Sequence, residues 1–293
     1  MTFDFYVDLA DQQQAPTEIE NGCVDLAGSF VDGCTVWFAT KSRNKARRSY
    51  VEVVRGLSCS LPSALALDPW PPDLLHHNWL ALQVDFELLT PWYSKDDRVF
   101  HLLDNPVRKD RVLGVPFMPA ASWKGMLRWA CRMQAGLREH LEQGKKFEEW
   151  NDPVWILQLF GNQKAEEEQF HQGALVFYPT WFDKIGFEVI NPHSRERRAG
   201  TQPIYYEVVP PGASGTLHLL YAPWPGMKQT CDPKTFLPNL LEAIEMLLTI
   251  YGISAKRTVG WGTTKITRWQ AFRKGQQPVT CTSKDGPWEQ MKT

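Results

Sequence analysis

The chain has 293 residues, 43% of them hydrophobic and 22% charged, with a formal net charge of −1. This composition describes a globular protein of one large domain or two ordinary ones. It excludes a free-standing nonspecific nucleic-acid binder, which would be far more basic, so any nucleic-acid site must be a local patch.

No run of 18 apolar residues occurs, so no membrane partner is expected. The opening MTFDFYVDLADQQQ carries acidic residues and lacks a signal pattern, which makes the cytoplasm the expected location. The cysteines at 23, 34, 59, 131, 231 and 281 form no C-x-x-C pair and have no close histidine. Free thiols are expected, and zinc is not. The thirteen tryptophans suit packing and protein interfaces, with base platforms as the other use of such rings.

Residues 1–75 read as an extension or as additional strands, VDGCTVWFAT and SYVEVVRGLS, joined by the basic turn KSRNKARR. DPWPPDLLHHN is a Pro-rich connector, and WLALQVDFELL (79–89) alternates as a strand should. A long loop over 91–121 leads to a helix capped by Ser122, running to about Gln143 and stopped by Gly144. PVWILQLFG makes a short helix from Pro153 to Gly161. GALVFYPTWF (173–182) is strand-like, and residues 185–209 form a strand, a polar excursion and a returning strand. TLHLLYAPW is a further strand, and Pro233–Tyr251 is an apolar helix ending at Gly252. A glycine-containing loop then flows into a final strand. The order predicts an α+β chain with a ferredoxin-like or RNA-recognition-like core over 76–270, a hairpin insertion at about 188–208, and a tail over 271–293.

The stretch Leu103–Arg128, LDNPVRKDRVLGVPFMPAASWKGMLR, places the carboxylate of Asp104 near cations and a helix start. Helix N-termini favour anions, and with lysine and arginine on the first turns the natural anion is a phosphate backbone. Basic residues cluster at Lys41, Arg43, Lys45, Arg47 and Arg48; at Arg108, Lys109 and Arg111; at Arg195, Arg197 and Arg198; and at Lys256 and Arg257. Lys124 and Arg128 share a helix face, as a phosphate contact or as a solvated face. Gly252, Gly260 and Gly262 allow close backbone approach to phosphate or form an ordinary cap and hairpin.

Asp104 either shapes a turn before Pro106 or serves catalysis. An ionised carboxylate there can orient an attacking hydroxyl, or hold Mg²⁺ or another divalent cation together with phosphate and water. Asp96, Asp97 and Asp110 are possible helpers, and His101 is a candidate base.

Three motifs carry a resemblance. VPFMPAASWKGMLR, LFGNQ followed by GALVFYP, and YGISAKRTVGWGTTKI resemble, in the right order, conserved-type segments of RAMP proteins, the repeat-associated subunits of CRISPR effector complexes. The resemblance covers roughly residues 79–269. DNPVRKD with the Ser-x-Lys-Gly helix is similar to the target-cleaving backbone subunits of type III complexes. INPHSRERRAGTQPIYYEVVPPGASG is similar to the noncatalytic terminal subunit of the type III-B branch, and the mixture suggests a divergent branch such as III-D.

The resemblance implies guide crRNA, target RNA and other effector subunits as partners, with Asp104 as the cleaving residue. It implies RNA contacts at Ser122, Lys124, Arg128, Arg108, Lys109, Gly252, Lys256, Arg257, Gly260 and Gly262. It also implies a thumb-like hairpin carrying Arg195, Arg197 and Arg198. The other readings are a noncatalytic assembly subunit and a stand-alone repeat-RNA endonuclease working through histidine.

Overall fold

A computed structural model describes residues 43–56, 59, 74–97, 101, 103–110, 113–162, 172–192, 203–224 and 232–286. In chain order the elements are α1 (Arg43–Gly56), β1 (Leu80–Leu88), β2 (Phe117–Met118), α2 (Ala120–Arg132), α3 (Arg138–Glu142), α4 (Val154–Phe160), β3 (Leu175–Phe177), β4 (Thr180–Trp181), β5 (Gly186–Ile190), β6 (Ile204–Val208), β7 (Ser214–Tyr221), α5 (Pro233–Met246), β8 (Thr264–Arg273) and β9 (Val279–Cys281). The fold is α+β. Two compact units emerge: a hairpin unit of residues 1–61, 93–116 and 183–210, and a sheet unit of residues 62–92, 117–182 and 211–293.

The sheet unit is built on five antiparallel strands in the order β3-β7-β1-β8-β9. The succession β1, α2, β3, β7, α5, β8, with β1 between β7 and β8, is the split βαβ arrangement of ferredoxin-like folds. Period-two alternation on β1 drives it: Leu80, Leu82, Val84, Phe86 and Leu88 are all buried, and Phe86 meets Trp123 of α2 edge-on at 6.2 Å. From α5, Phe236 packs on Tyr221 at 4.8 Å. The buried Trp123 indole donates to Thr180 Oγ1 at 2.9 Å, which satisfies its one polar atom.

The helix expected from Ser122 to Gln143 is corrected at its start and in its middle, whereas its end at Glu142, with Gly144 at positive φ just beyond, is as expected. It begins at Ala120 behind Pro119, which offers no side-chain cap, so Ser122 lies in the first turn. Beyond Arg132 a π-type turn, Met133–Leu137, breaks the helix where Gly136 takes φ 105°, and α3 continues from there.

In the hairpin unit, β5 and β6 pair antiparallel with Gly186 opposite Val208 and Ile190 opposite Ile204. The expected basic turn and following strand are instead the single helix α1. Its β-branched valines imitate a strand, but Tyr50 and Val54, one helical turn apart, both have no exposure. The expected strand over 31–40 lies outside the described residues.

The centre of this unit is polar. Lys109 Nζ lies 2.7 Å from both carboxylate oxygens of Glu207 and donates to Tyr50 Oη at 2.6 Å. The Tyr50 hydroxyl donates to Glu207 Oε1 at 2.6 Å, and the Val107 amide donates to Glu207 Oε2 at 3.0 Å. The side chains of Lys109 and Glu207 are 3% and 0% exposed, so each charge depends on the other. Breaking one side of such a pair leaves a buried uncompensated charge. Glu207→Ala is therefore expected to cost about 3–5 kcal/mol in chemical denaturation, whereas the paired replacement Lys109→Met with Glu207→Leu loses much less.

Candidate nucleic-acid interface

Two sets of residues carry the expected chemistry, one in each unit. In the sheet unit, α2 presents Lys124 outward. Lys124 is exposed and makes no ion pair among the described residues. Partial burial and the neighbouring Arg128 charge pull its ammonium below the ordinary lysine value. Arg128 is less available than its spacing suggests. Its Nη2 and Nε reach Asp152 Oδ2 at 2.8 and 3.1 Å, and Arg132 grips the same carboxylate at 2.6 and 2.7 Å. With 13% of its side chain exposed, Arg128 is first of all one arm of a clamp that ties α2 to the segment before α4.

The glycine loop is anchored to the sheet unit by the Trp92 indole, which donates to the Ile253 carbonyl at 3.0 Å. Gly252 and Gly262 face each other across it. A Cβ on Gly262, at φ 88°, would stand 2.3 Å from the Ser254 amide nitrogen, so these glycines serve the loop's own closure rather than access by a ligand. Gly260 differs, because it is exposed and nothing lies within 4 Å of its would-be Cβ.

Arg257 stacks its guanidinium on Trp129 of α2 at 4.7 Å, and Trp129 in turn meets Tyr251 at 4.8 Å. Among the described residues Arg257 Nη1 has no hydrogen-bond partner. The residue as a whole is half-buried, and a guanidinium in that setting makes strong charge-assisted hydrogen bonds to an anionic oxygen. Lys256 begins the loop's 3-10 turn, where its carbonyl accepts from the Val259 and Trp261 amides at 3.2 and 3.3 Å.

In the hairpin unit, Asp104 lies at the tip of a bend and its side chain is 79% exposed. Its carboxylate accepts from Arg47 Nη2 of α1 at 2.9 Å. The neighbouring Asn105 donates to the Tyr205 carbonyl at 3.1 Å and fixes the bend against β6.

The proposed helpers are occupied elsewhere. Asp97 pairs with Arg108 at 3.7 Å, Asp110 accepts the Leu113 amide at 2.9 Å to shape a turn, and Asp96 is buried. His101 Nδ1 accepts the Leu103 amide at 3.0 Å and its Nε2 is buried, so the imidazole supports the bend and offers no base to solvent. Among the described residues no group of three or more His, Cys, Asp or Glu is placed to hold a metal ion. A lone exposed carboxylate already paired with a guanidinium does not fit a preformed divalent-cation site.

Lys109, expected to face phosphate, is a correction: the Glu207 pair holds it in the interior. Arg108 is directed to Asp97 and to the Lys95 carbonyl at 3.4 Å. Arg195, Arg197 and Arg198 lie outside the described residues. No motif or spacing in the sequence points to Arg55 or Tyr205. Arg48 was visible only as part of a charge run, and nothing in the spacing placed it on a helix beside the hairpin.

The family model of the RAMP superfamily matches residues 85–265. Among curated proteins, none matches the chain in sequence. Solved structures to which the chain is similar include a chain of the type III-B Cmr-beta complex bound to cognate target RNA, at 17% identity and TM-score 0.48, covering 80% of this chain and 68% of that one. A chain of the Csm3–Csm4 subcomplex of the type III-A CRISPR-Cas interference complex is 16% identical with TM-score 0.44, covering 75% and 97%. A chain of a type IV-B CRISPR complex is 12% identical with TM-score 0.44, covering 67% and 92%. No helix among the described residues is long and apolar enough to cross a membrane.

The Asp152 clamp has a pH signature. Burial alone would raise its carboxyl, but hydrogen bonds from Arg132, Arg128 and Trp150 outweigh burial and hold it below the ordinary 3.8. Folding thus favours the ionised form. The clamp's contribution is complete above pH ~4 and is lost as pH falls through the depressed folded value. Asp152→Asn is expected to lose about 2 kcal/mol at neutral pH and to flatten the acid limb of a stability–pH curve.

Proposed function

The chain belongs to the RAMP superfamily, and from that premise we propose that it is an RNA-binding subunit of a type III CRISPR effector complex. In this reading it holds guide crRNA backbone on the sheet unit and cleaves bound target RNA through Asp104. Guide crRNA, target RNA and neighbouring effector subunits are its partners.

The observation that carries the RNA reading is Arg257. It is a half-buried guanidinium stacked on Trp129, in a loop whose Gly260 is open to a close-approaching backbone. Phosphate oxygens are strong acceptors for such a group, and Lys124 adds an exposed positive charge from α2. The contact is to backbone, so sequence is read by base pairing rather than by the protein.

Cleavage needs only the RNA's own nucleophile. The 2′-oxygen attacks the adjacent phosphorus, the bond to the 5′-oxygen breaks, and a 2′,3′-cyclic phosphate and a 5′-hydroxyl result. Asp104 accepts the proton leaving the 2′-hydroxyl and aligns that oxygen, and a water molecule supplies the proton that the departing 5′-oxygen takes up. Its exposure at a bend tip leaves room for a strand to approach. The ion pair with Arg47 favours a second reading, in which Asp104 only shapes the loop and the chain is a noncatalytic assembly subunit.

Two measurements check these readings. Lys124→Ala and Arg257→Ala are each expected to weaken guide binding and to shrink the slope of log affinity against log salt by about 0.7. An unchanged slope removes the residue from the interface. In the assembled complex, Asp104→Ala is expected to abolish cleavage at one phosphodiester while assembly persists. Unchanged cleavage at every site assigns the noncatalytic reading.

A further inference from the structure

Within the hairpin unit, α1, the 103–104 bend and one face of the β5–β6 hairpin enclose a cleft of about 500 Å³. That volume falls within the roughly 300–1,000 Å³ typical of small-molecule sites. Strand register explains its walls. Phe187 stands opposite Glu207, and Tyr205 lies two positions before Glu207 on the same strand, so these three side chains share one hairpin face and line the cleft. Glu207 sits at the buried end, while Tyr205 at the mouth is 68% exposed. Arg55 lies over the Phe187 ring at 5.8 Å.

From α1, Arg47, Arg48, Val51 and Arg55 fall on one helical face and line the same space. The charges around the cleft do not balance. Glu207 is neutralised by Lys109, and Asp104 by Arg47. Arg48 and Arg55 remain, and neither makes an ion pair among the described residues. The cleft therefore offers two guanidiniums without an ion pair among the described residues, one of them over the Phe187 ring, beside the exposed ring of Tyr205. A ring-bearing anion satisfies both features.

We propose that this cleft binds one nucleotide of single-stranded RNA, its base stacked on Tyr205 and its phosphate held by Arg48 and Arg55. The proposal rests on the RNA reading above but uses different residues. Of the lining residues, those of α1 precede the span 85–265 that matches the family, while Asp104, Phe187, Tyr205 and Glu207 lie within it. The site gives α1 a function beyond packing. Stacking is tolerant of base identity, so the site selects an unpaired nucleotide rather than a sequence.

The test uses the full chain with a short single-stranded RNA carrying 4-thiouridine, ultraviolet crosslinking, and mass spectrometry to locate the adduct. An adduct is expected on the peptide containing Tyr205. Tyr205→Ala and the double variant Arg48→Glu with Arg55→Glu are each expected to lose that adduct and to weaken binding of the same RNA about tenfold. Adducts confined to segments around Lys124 and Arg257, unmoved by the three substitutions, overturn the cleft proposal and leave the RNA reading standing. Absence of RNA binding by the unsubstituted chain overturns both. Loss of a co-purifying protein subunit in Tyr205→Ala, with the crosslink pattern unchanged, assigns the cleft to a protein partner and also overturns the proposal. All three altered side chains are exposed or line the open cleft, and thermal unfolding of each variant confirms that the fold is kept.

Discussion

The ammonium of Lys109 and the carboxylate of Glu207 are removed from water together, 2.7 Å apart, with Tyr50 completing the shell. This triad draws its members from three separate stretches of chain: α1, the loop after β1, and β6. A charge in the interior tolerates little displacement of its partner, because attraction and desolvation are both large there and nearly cancel. The pair therefore holds the register of the whole hairpin unit. The Asn105 carbonyl accepts the Glu207 amide at 3.0 Å, and the bend carrying Asp104 is set by that same neighbourhood. The exposed carboxylate, the arginine face of α1 and the aromatic face of the hairpin take their positions from it.

The sheet unit solves a related problem differently. Its core is apolar and its strands are ordered by alternation, so the polar work is left to the edges of α2 and the glycine loop. There the cations divide by role. Arg128 and Arg132 are held by Asp152 and fasten the helix, while Lys124 and Arg257 keep the capacity to meet an anion. Charge identity alone does not distinguish these roles. What distinguishes them is whether an acid stands within reach after folding.

Much of the framework was legible in the sequence. Strand β1, the short helix between Pro153 and Gly161, and the returning strand pair of the hairpin follow from period and punctuation, and the structure agrees to within a residue or two. The three motifs identified the family, and the matched span 85–265 falls inside the roughly 79–269 over which the resemblance was expected to extend. Local rules failed where two patterns compete. In α1 a run of valines reads as β, but burial of Tyr50 and Val54 on one helical face decides otherwise. At the start of α2 a serine with good capping chemistry is passed over because Pro119 already fixes the entry of the chain.

The sequence by itself determined the α+β class, the family, and the presence of cations around a loop aspartate, because these depend on composition, short-range periodicity and local motifs. Tertiary structure alone decided which charges are structural. Lys109 and Arg108 are near neighbours in one basic run, yet one is sealed against Glu207 and the other lies against an exposed Asp97. It also decided that Arg47 meets Asp104 across 57 positions, and that Arg48, Arg55 and Tyr205 converge on one cleft. The physical reason is that the availability of a charge depends on solvent and on opposite charge brought near by folding, and neither is written in the spacing of a single chain segment.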